Sequence, residues 1–191
     1  MRAEKALNFN DNLKTLTVSY IYELLCGRGK KFGGKMNSVA NAVVGGWQVS
    51  GVSTFKDGFP LAIGASSNNT GSLGGGQRPD IVGDPHISNP TVERWFNTDA
   101  FAQPDAYTFG NGPRTMPNLR APGQNNWDLK IQEWWSVREE KMRVQFRAEM
   151  FNAFNHPYLF APNIWYGQPT FGEINTAYFA RSIQAGLKIY W

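Results

Sequence analysis

The stretch MRVQFRAEMFNAF, which starts at Met142, admits few folds. Met142, Val144, Phe146, Ala148 and Met150 alternate with Arg143, Gln145, Arg147 and Glu149, and a period of two puts the two sets on opposite faces of a strand. The C-terminus repeats the pattern. Ile183, Ala185, Leu187, Ile189 and Trp191 oppose Gln184, Gly186, Lys188 and Tyr190, so the chain stops on an aromatic ring rather than on the polar tail usual in soluble domains. Three further segments alternate. Leu16, Val18, Tyr20, Tyr22 and Leu24 face away from Thr17, Ser19 and Glu23, with Ile21 the exception. Trp47, Val49 and Phe55 oppose Gln48, Ser50, Thr54 and Lys56, and Trp127, Leu129, Ile131 and Trp135 oppose Asp128, Lys130 and Gln132. Strands are expected over about 14–25, 46–63, 126–137, 142–155 and 179–191.

Charged side chains on the polar faces are satisfied either by bulk water around a sandwich or by the lumen of a membrane barrel. Tyr20, Tyr22, Trp47, Trp127, Trp134, Trp135, Tyr190 and Trp191 suit an ordinary core, and equally the girdles where amphipathic rings meet lipid headgroups. The formal charge is +4, but Lys and Arg are scattered, so a nucleic-acid surface is not expected. Cys26 has no partner within the chain and does not report on compartment. MRAEKALNFN has no apolar run behind its charges, so no secretory signal is expected there, nor is a spanning helix anywhere.

The connections are unequal. REEK joins the third and fourth strands tightly, whereas Ala65 to Asn125 is too long for a plain loop. GASSNNTGSLGGGQRPD should be mobile, and the following part should fold back on itself through Trp95, Phe96, Phe101, Tyr107 and Phe109. The first connection should carry a short helix over Met36 to Val44, stopped by Gly45 and Gly46, after a flexible basic turn, GRGKKFGGK, that lacks phosphate-loop spacing. His86 and His156 have no second histidine nearby, so no metal is expected. FNHP reads as a strand exit in which Asn155 bonds its own backbone and Pro157 ends the ladder. Glu93, Asp99, Asp105 and Glu173 have no spacing that fixes a carboxylate pair, so no catalytic residue and no cofactor is assigned. NNT at Asn68 formally matches a glycosylation acceptor.

Taken in order, GGWQVSGVSTFKDGFPL, RPDIVGDP, VERWFNTDAFAQP, FGNGPR, LRAPGQNNWDLKI, MRVQFRAEMFNAFNHP, PTFGEI and RSIQAGLKIYW resemble the C-terminal end of TonB-dependent outer-membrane receptors. The resemblance is nearest to the Oar-like group with a carboxypeptidase-regulatory-like N-terminal domain, and it runs from about Leu7 to Trp191. It implies an all-β fold: an antiparallel meander of about five transmembrane-type strands, an incomplete segment of a large outer-membrane barrel, with one short turn helix and external loops over about 65–125 and 157–178. Gln184, Gly186, Ile189 and Trp191 match the terminal signal read by the barrel-assembly machinery, with Trp in place of the usual Phe. The implied function is non-enzymatic, the uptake of a bulky ligand, with Trp95, Phe101, Tyr107, Trp165 and Tyr166 as candidate loop contacts. The implied partners are outer-membrane lipid, the assembly machinery and the remaining strands and plug of the receptor, with TonB engaged only through N-terminal parts. Such a barrel has roughly 22 strands and the natural minimum is about eight, so five strands without plug, TonB box or signal peptide are expected to be a fragment. The competing expectation is a soluble β-rich module that binds a glycan or peptide through loop aromatics.

Overall fold

The computed structural model describes residues 5–137, 142–178 and 180–191. Its elements in chain order are β1 (Thr15–Glu23), α1 (Ser38–Val44), β2 (Gln48–Lys56), β3 (Gly64–Ala65), β4 (Asp80–Ile81), a 3₁₀ turn (Thr98–Ala100), β5 (Phe101–Ala102), β6 (Gln124–Val137), β7 (Met142–Phe151), β8 (Trp165–Tyr166) and β9 (Ser182–Tyr190). The REEK hairpin, 138–141, lies outside the described residues, as does Phe179. By contacts the chain divides into two compact units.

The sheet unit (Leu16–Phe55, Asn125–His156, Phe179–Trp191) carries the five long strands in the order β1-β2-β6-β7-β9. β7 pairs antiparallel with both β6 and β9, and directly opposed residues share a face. Apolar rows therefore form across strands: Leu129–Met150–Ile183, Ile131–Ala148–Ala185 and Trp135–Val144–Ile189. The opposite face carries Lys130–Glu149–Gln184 and Gln132–Arg147–Gly186. That polar face is knitted by hydrogen bonds: Gln132 Nε2 donates to Gln48 Oε1, Gln145 Nε2 to Gln132 Oε1 at 3.2 Å, and Gln184 Nε2 to Glu149 Oε2 at 2.6 Å. Trp134 and Tyr190 also lie on it, their rings 5.5 Å apart with the Arg143 guanidinium 5.7 Å from the indole. This corrects the girdle reading for those two rings, which are turned away from the apolar face.

Several expected boundaries change, among them the start of β9, which is Ser182 rather than 179. β2 stops at Lys56 rather than running to residue 63, because Gly58 passes against the backbone at Ala121 and Pro60 makes an isolated bridge to Arg120. β7 stops at Phe151 rather than 155, where Asn152 takes a left-handed φ of 50°. The side chain that closes this exit turn is Asn152, not Asn155: its Oδ1 accepts from His156 N at 2.9 Å and its Nδ2 donates to His156 O at 2.9 Å. Asn155 Oδ1 accepts from Arg181 N instead. The helix begins at Ser38, two residues later than expected, because Asn37 caps it by accepting from Ala40 N at 2.7 Å.

The loop unit (Met1–Thr15, Lys56–Gln124, Pro157–Tyr178) has its own core, in which Leu61, Ile63, Phe96, Ala100, Phe101, Met116, Leu119 and Ala121 are buried. Its small strands pair β3 with β8, parallel, and β4 with β5, antiparallel. The long connection, expected to fold back on itself in its second part, thus belongs to a packed unit.

Candidate functional site

Three rings fix the centre of the loop unit. Phe96, Phe101 and Phe171 meet mutually edge to face with centroids 5.0–5.7 Å apart, the arrangement the ring quadrupole favours. Tyr166 adds a fourth edge against Phe171 at 5.6 Å. A charged tie holds the N-terminal segment to this core. Arg120 Nη2 donates to Asp11 Oδ2 at 2.6 Å, and its Nη1 donates to the carbonyls of Gly58 and Asp11. The Arg120 side chain is only 16% exposed, so Arg120→Ala would leave a shielded carboxylate and two carbonyls without their donor. A loss of about 2–3 kcal/mol is expected in this unit, read as faster hydrogen exchange of its amides with the sheet unit unchanged.

The Gly/Ser/Asn stretch expected to be mobile is tied by amides at Asn69 and Gln77, while residues 71–76 between them are exposed. Asn69 N donates to Gln77 Oε1, Asn69 Nδ2 to Pro104 O, Gln77 Nε2 to Thr108 O and Gln103 Nε2 to Gln77 Oε1. The clamp orders the neighbouring segment without burying its rings, because Tyr107 is 83% exposed and Phe109 80%. Both were expected to pack locally, and neither does. Tyr107 holds a φ of 64°, a conformation unusual for an aromatic residue, with its N–H donating to Asn69 O.

The other candidate contacts separate by burial. Phe101 is 4% exposed and belongs to the core. Trp95 packs against the core and donates from Nε1 to Arg120 O at 2.8 Å, and Tyr166 also packs against the core. Trp165 stays half-exposed, its ring so close to Gly64 that a β-carbon there would lie 2.5 Å from Cζ3. Phe101, Tyr166 and Phe171, with Asp99 and Gln168, line a groove of about 490 Å³; Asp99 is paired with Arg94 at 2.9 Å.

An aromatic stack was not anticipated. Tyr178 lies nearly parallel to Tyr158 at 4.2 Å and to Phe160 at 3.9 Å. The Leu159–Ala177 bridge explains this, since it sets the flanking alternate residues on one side. Burial, reinforced by the adjacent Tyr178 hydroxyl, holds the Tyr158 phenol above its ordinary pKa. The Tyr-x-Phe spacing at 158–160 was the available sequence signal. No group of three or more His, Cys, Asp or Glu converges among the described residues, and no helix among them is long and apolar enough to cross a membrane.

The terminal residues sit on β9 and just beyond it. Gln184 bonds Glu149 on the polar face, Gly186 opposes Arg147, Ile189 opposes Val144 on the apolar face, and Trp191 follows the strand almost fully exposed. An antiparallel sheet with one apolar face, one hydrogen-bonded charged face and large folded connections is the construction of a membrane β-barrel wall. The family model for the outer membrane beta barrel domain matches residues 1–184, and the chain belongs to that family. No curated protein and no solved structure matches it. The fold is accordingly all-β, of the outer-membrane barrel type, and such a domain serves a structural or transport role rather than catalysis.

Proposed function

We propose that the chain is the C-terminal barrel segment of an Oar-like TonB-dependent outer-membrane receptor, and that its loop unit contributes to the ligand-facing surface for a bulky ligand. The observation that carries this reading is the separation of faces across β6, β7 and β9, where apolar and polar rows stay in register over nine residue pairs on each side of β7. A soluble sheet has no need for Ile183, Leu187 and Ile189 to stand at half exposure or more along one face of β9. Lipid would cover them. In this reading Gln184, Gly186, Ile189 and Trp191 are read by the barrel-assembly machinery, the polar face turns inward toward the plug, and TonB acts through N-terminal parts of the receptor. Tyr107 and Trp165 remain the accessible aromatic contacts.

The test is expression behind a heterologous signal peptide in a Gram-negative host, followed by membrane fractionation and a heat-modifiability gel. Outer-membrane recovery with a heat-dependent mobility shift supports the reading; a soluble monomer that unfolds cooperatively overturns it in favour of a soluble binding module. In the same assay, deletion of Trp191 should lower outer-membrane recovery severalfold while leaving synthesis unchanged.

A further inference from the structure

The connection between β1 and β2 has a composition unlike the rest of the chain. Residues 24–47 contain Arg28, Lys30, Lys31 and Lys35 and no acidic residue, so the segment is strongly basic, with Lys30 paired to Glu23 at the end of β1 at 3.3 Å. It also exposes apolar side chains, with Val39 at 76%, Val43 at 65% and Phe32 at 56%. Val39 and Val43 are four residues apart on α1 and so share one face.

Its position is fixed by two indoles. Trp47 Nε1 donates to Val43 O at 2.8 Å and Trp135 Nε1 to Ala42 O at 2.6 Å. Trp135 belongs to the apolar row with Val144 and Ile189, and Trp47 meets Phe146 of the adjoining row edge to face at 5.9 Å. The helix therefore lies over the apolar side of the sheet. Beneath the turn that follows it is Glu133, 2% exposed, whose Oε2 has no partner. A β-carbon on Gly46 would stand 3.6 Å from Glu133 Oε1. The connection thus roofs the one carboxylate on the β6 stretch that faces the apolar side, which bare hydrocarbon would not tolerate.

We propose that this connection is an interfacial anchor for anionic phospholipid headgroups: Arg28, Lys30, Lys31 and Lys35 engage the headgroups while Val39, Val43 and Phe32 enter the outer acyl layer. The proposal rests on the membrane reading above. Basic groups beside an apolar helix face, with indoles at the same level, are the chemistry of a membrane interface. Lys31 already lies over the Phe32 ring, 5.6 Å from its centroid, so a cation and an apolar ring reach the same layer. An acidic protein would satisfy the charges but not the apolar continuity with the sheet face.

The test uses the full chain refolded into vesicles, on a Cys26→Ser background, with a fluorophore on Val39→Cys, on Leu187→Cys of the exposed apolar row, or on Leu73→Cys of the loop unit, and with acrylamide as neutral quencher. In vesicles containing phosphatidylglycerol, the Val39 label should be protected as well as the Leu187 label, and the Leu73 label should be quenched freely. Replacing Arg28, Lys30, Lys31 and Lys35 by Gln should lower the docked-to-undocked ratio at Val39 by about 10²-fold or more, each charge near an anionic surface being worth roughly a factor of five. Protection at Leu187 should not change. If Val39 is quenched like Leu73 while Leu187 is protected, the anchor is wrong and the membrane reading stands; if neither is protected, both fail. Equal protection of Val39 in purely zwitterionic vesicles, unaffected by the four substitutions, would overturn the headgroup assignment.

Discussion

Phe96→Ala should cost the loop unit about 3–5 kcal/mol and abolish slow hydrogen exchange at Ala65, Ile81 and Val82 without changing protection in β7. Phe96 is fully buried and touches both Phe101 and Phe171 edge to face. Its removal takes one ring from each contact and leaves a void that the clamped strands β4 and β5 are poorly able to fill. Gly172 lies alongside, where a β-carbon would be 3.7 Å from the Phe96 ring, so this residue has no side chain of its own to move into the void. The sheet unit supplies the internal control because the chain has two compact units, and a single unfolding free energy would mix them. Equal loss of protection in β7 would show that the two do not unfold separately.

Gly58→Ala should be as damaging, about 3–5 kcal/mol, for a different reason. A β-carbon at this position would stand 1.7 Å from Ala121 O and 2.5 Å from Ala121 C. Both are backbone atoms, so no rotamer change relieves the clash. The chain would have to part where Ala121 N donates to Phe59 O and Leu61 N to Leu119 O, and Arg120 would lose Gly58 O as an acceptor. Gly76→Ala is the matched control: nothing lies within 4 Å of its β-carbon position, and a change within about 0.5 kcal/mol is expected. Thermal unfolding followed by hydrogen exchange distinguishes the two variants. A near-neutral Gly58→Ala would show that the Phe59–Ala121 approach is looser than the structure has it.

The alternation in β7 and β9 was fully legible because face assignment in a strand depends only on the parity of residue number. The register that joins Phe146 to Leu187 and Val144 to Ile189 follows once the turn and the apolar rows must agree. Glu133 shows where parity stops. It falls on the apolar face by position, and only the packing of a segment some ninety residues earlier, as in the Trp135 to Ala42 bond, makes that placement tolerable. Local sequence carries no trace of such a roof. The loop aromatics divide for the same reason, Trp95, Phe96 and Phe101 packing as expected and Tyr107 and Phe109 not. Phe96 and Tyr107 are comparable rings in the same connection, yet one is sealed in the core and the other stands in solvent, a difference set by Phe171 and Asn69 from distant stretches. The end of β2 was missed because a glycine within an extended segment reads as a weak strand residue until the backbone facing it is known.

The loop unit is stitched from three stretches of chain, and its ties are long: Asp11 to Arg120 spans 109 residues, Leu7 to Thr115 spans 108 and Ser66 to Tyr166 spans 100. Contacts this distant are reached late, because the entropy of closing each loop is lost before the contact rewards it. During synthesis the N-terminal stretch must wait for residue 120 to emerge, and the rings of Tyr158 and Phe160 must wait for Tyr178. The β3–β8 pairing that places Trp165 is therefore formed late, and until then Phe96 and its neighbours are open to any chaperone that holds exposed aromatic chain.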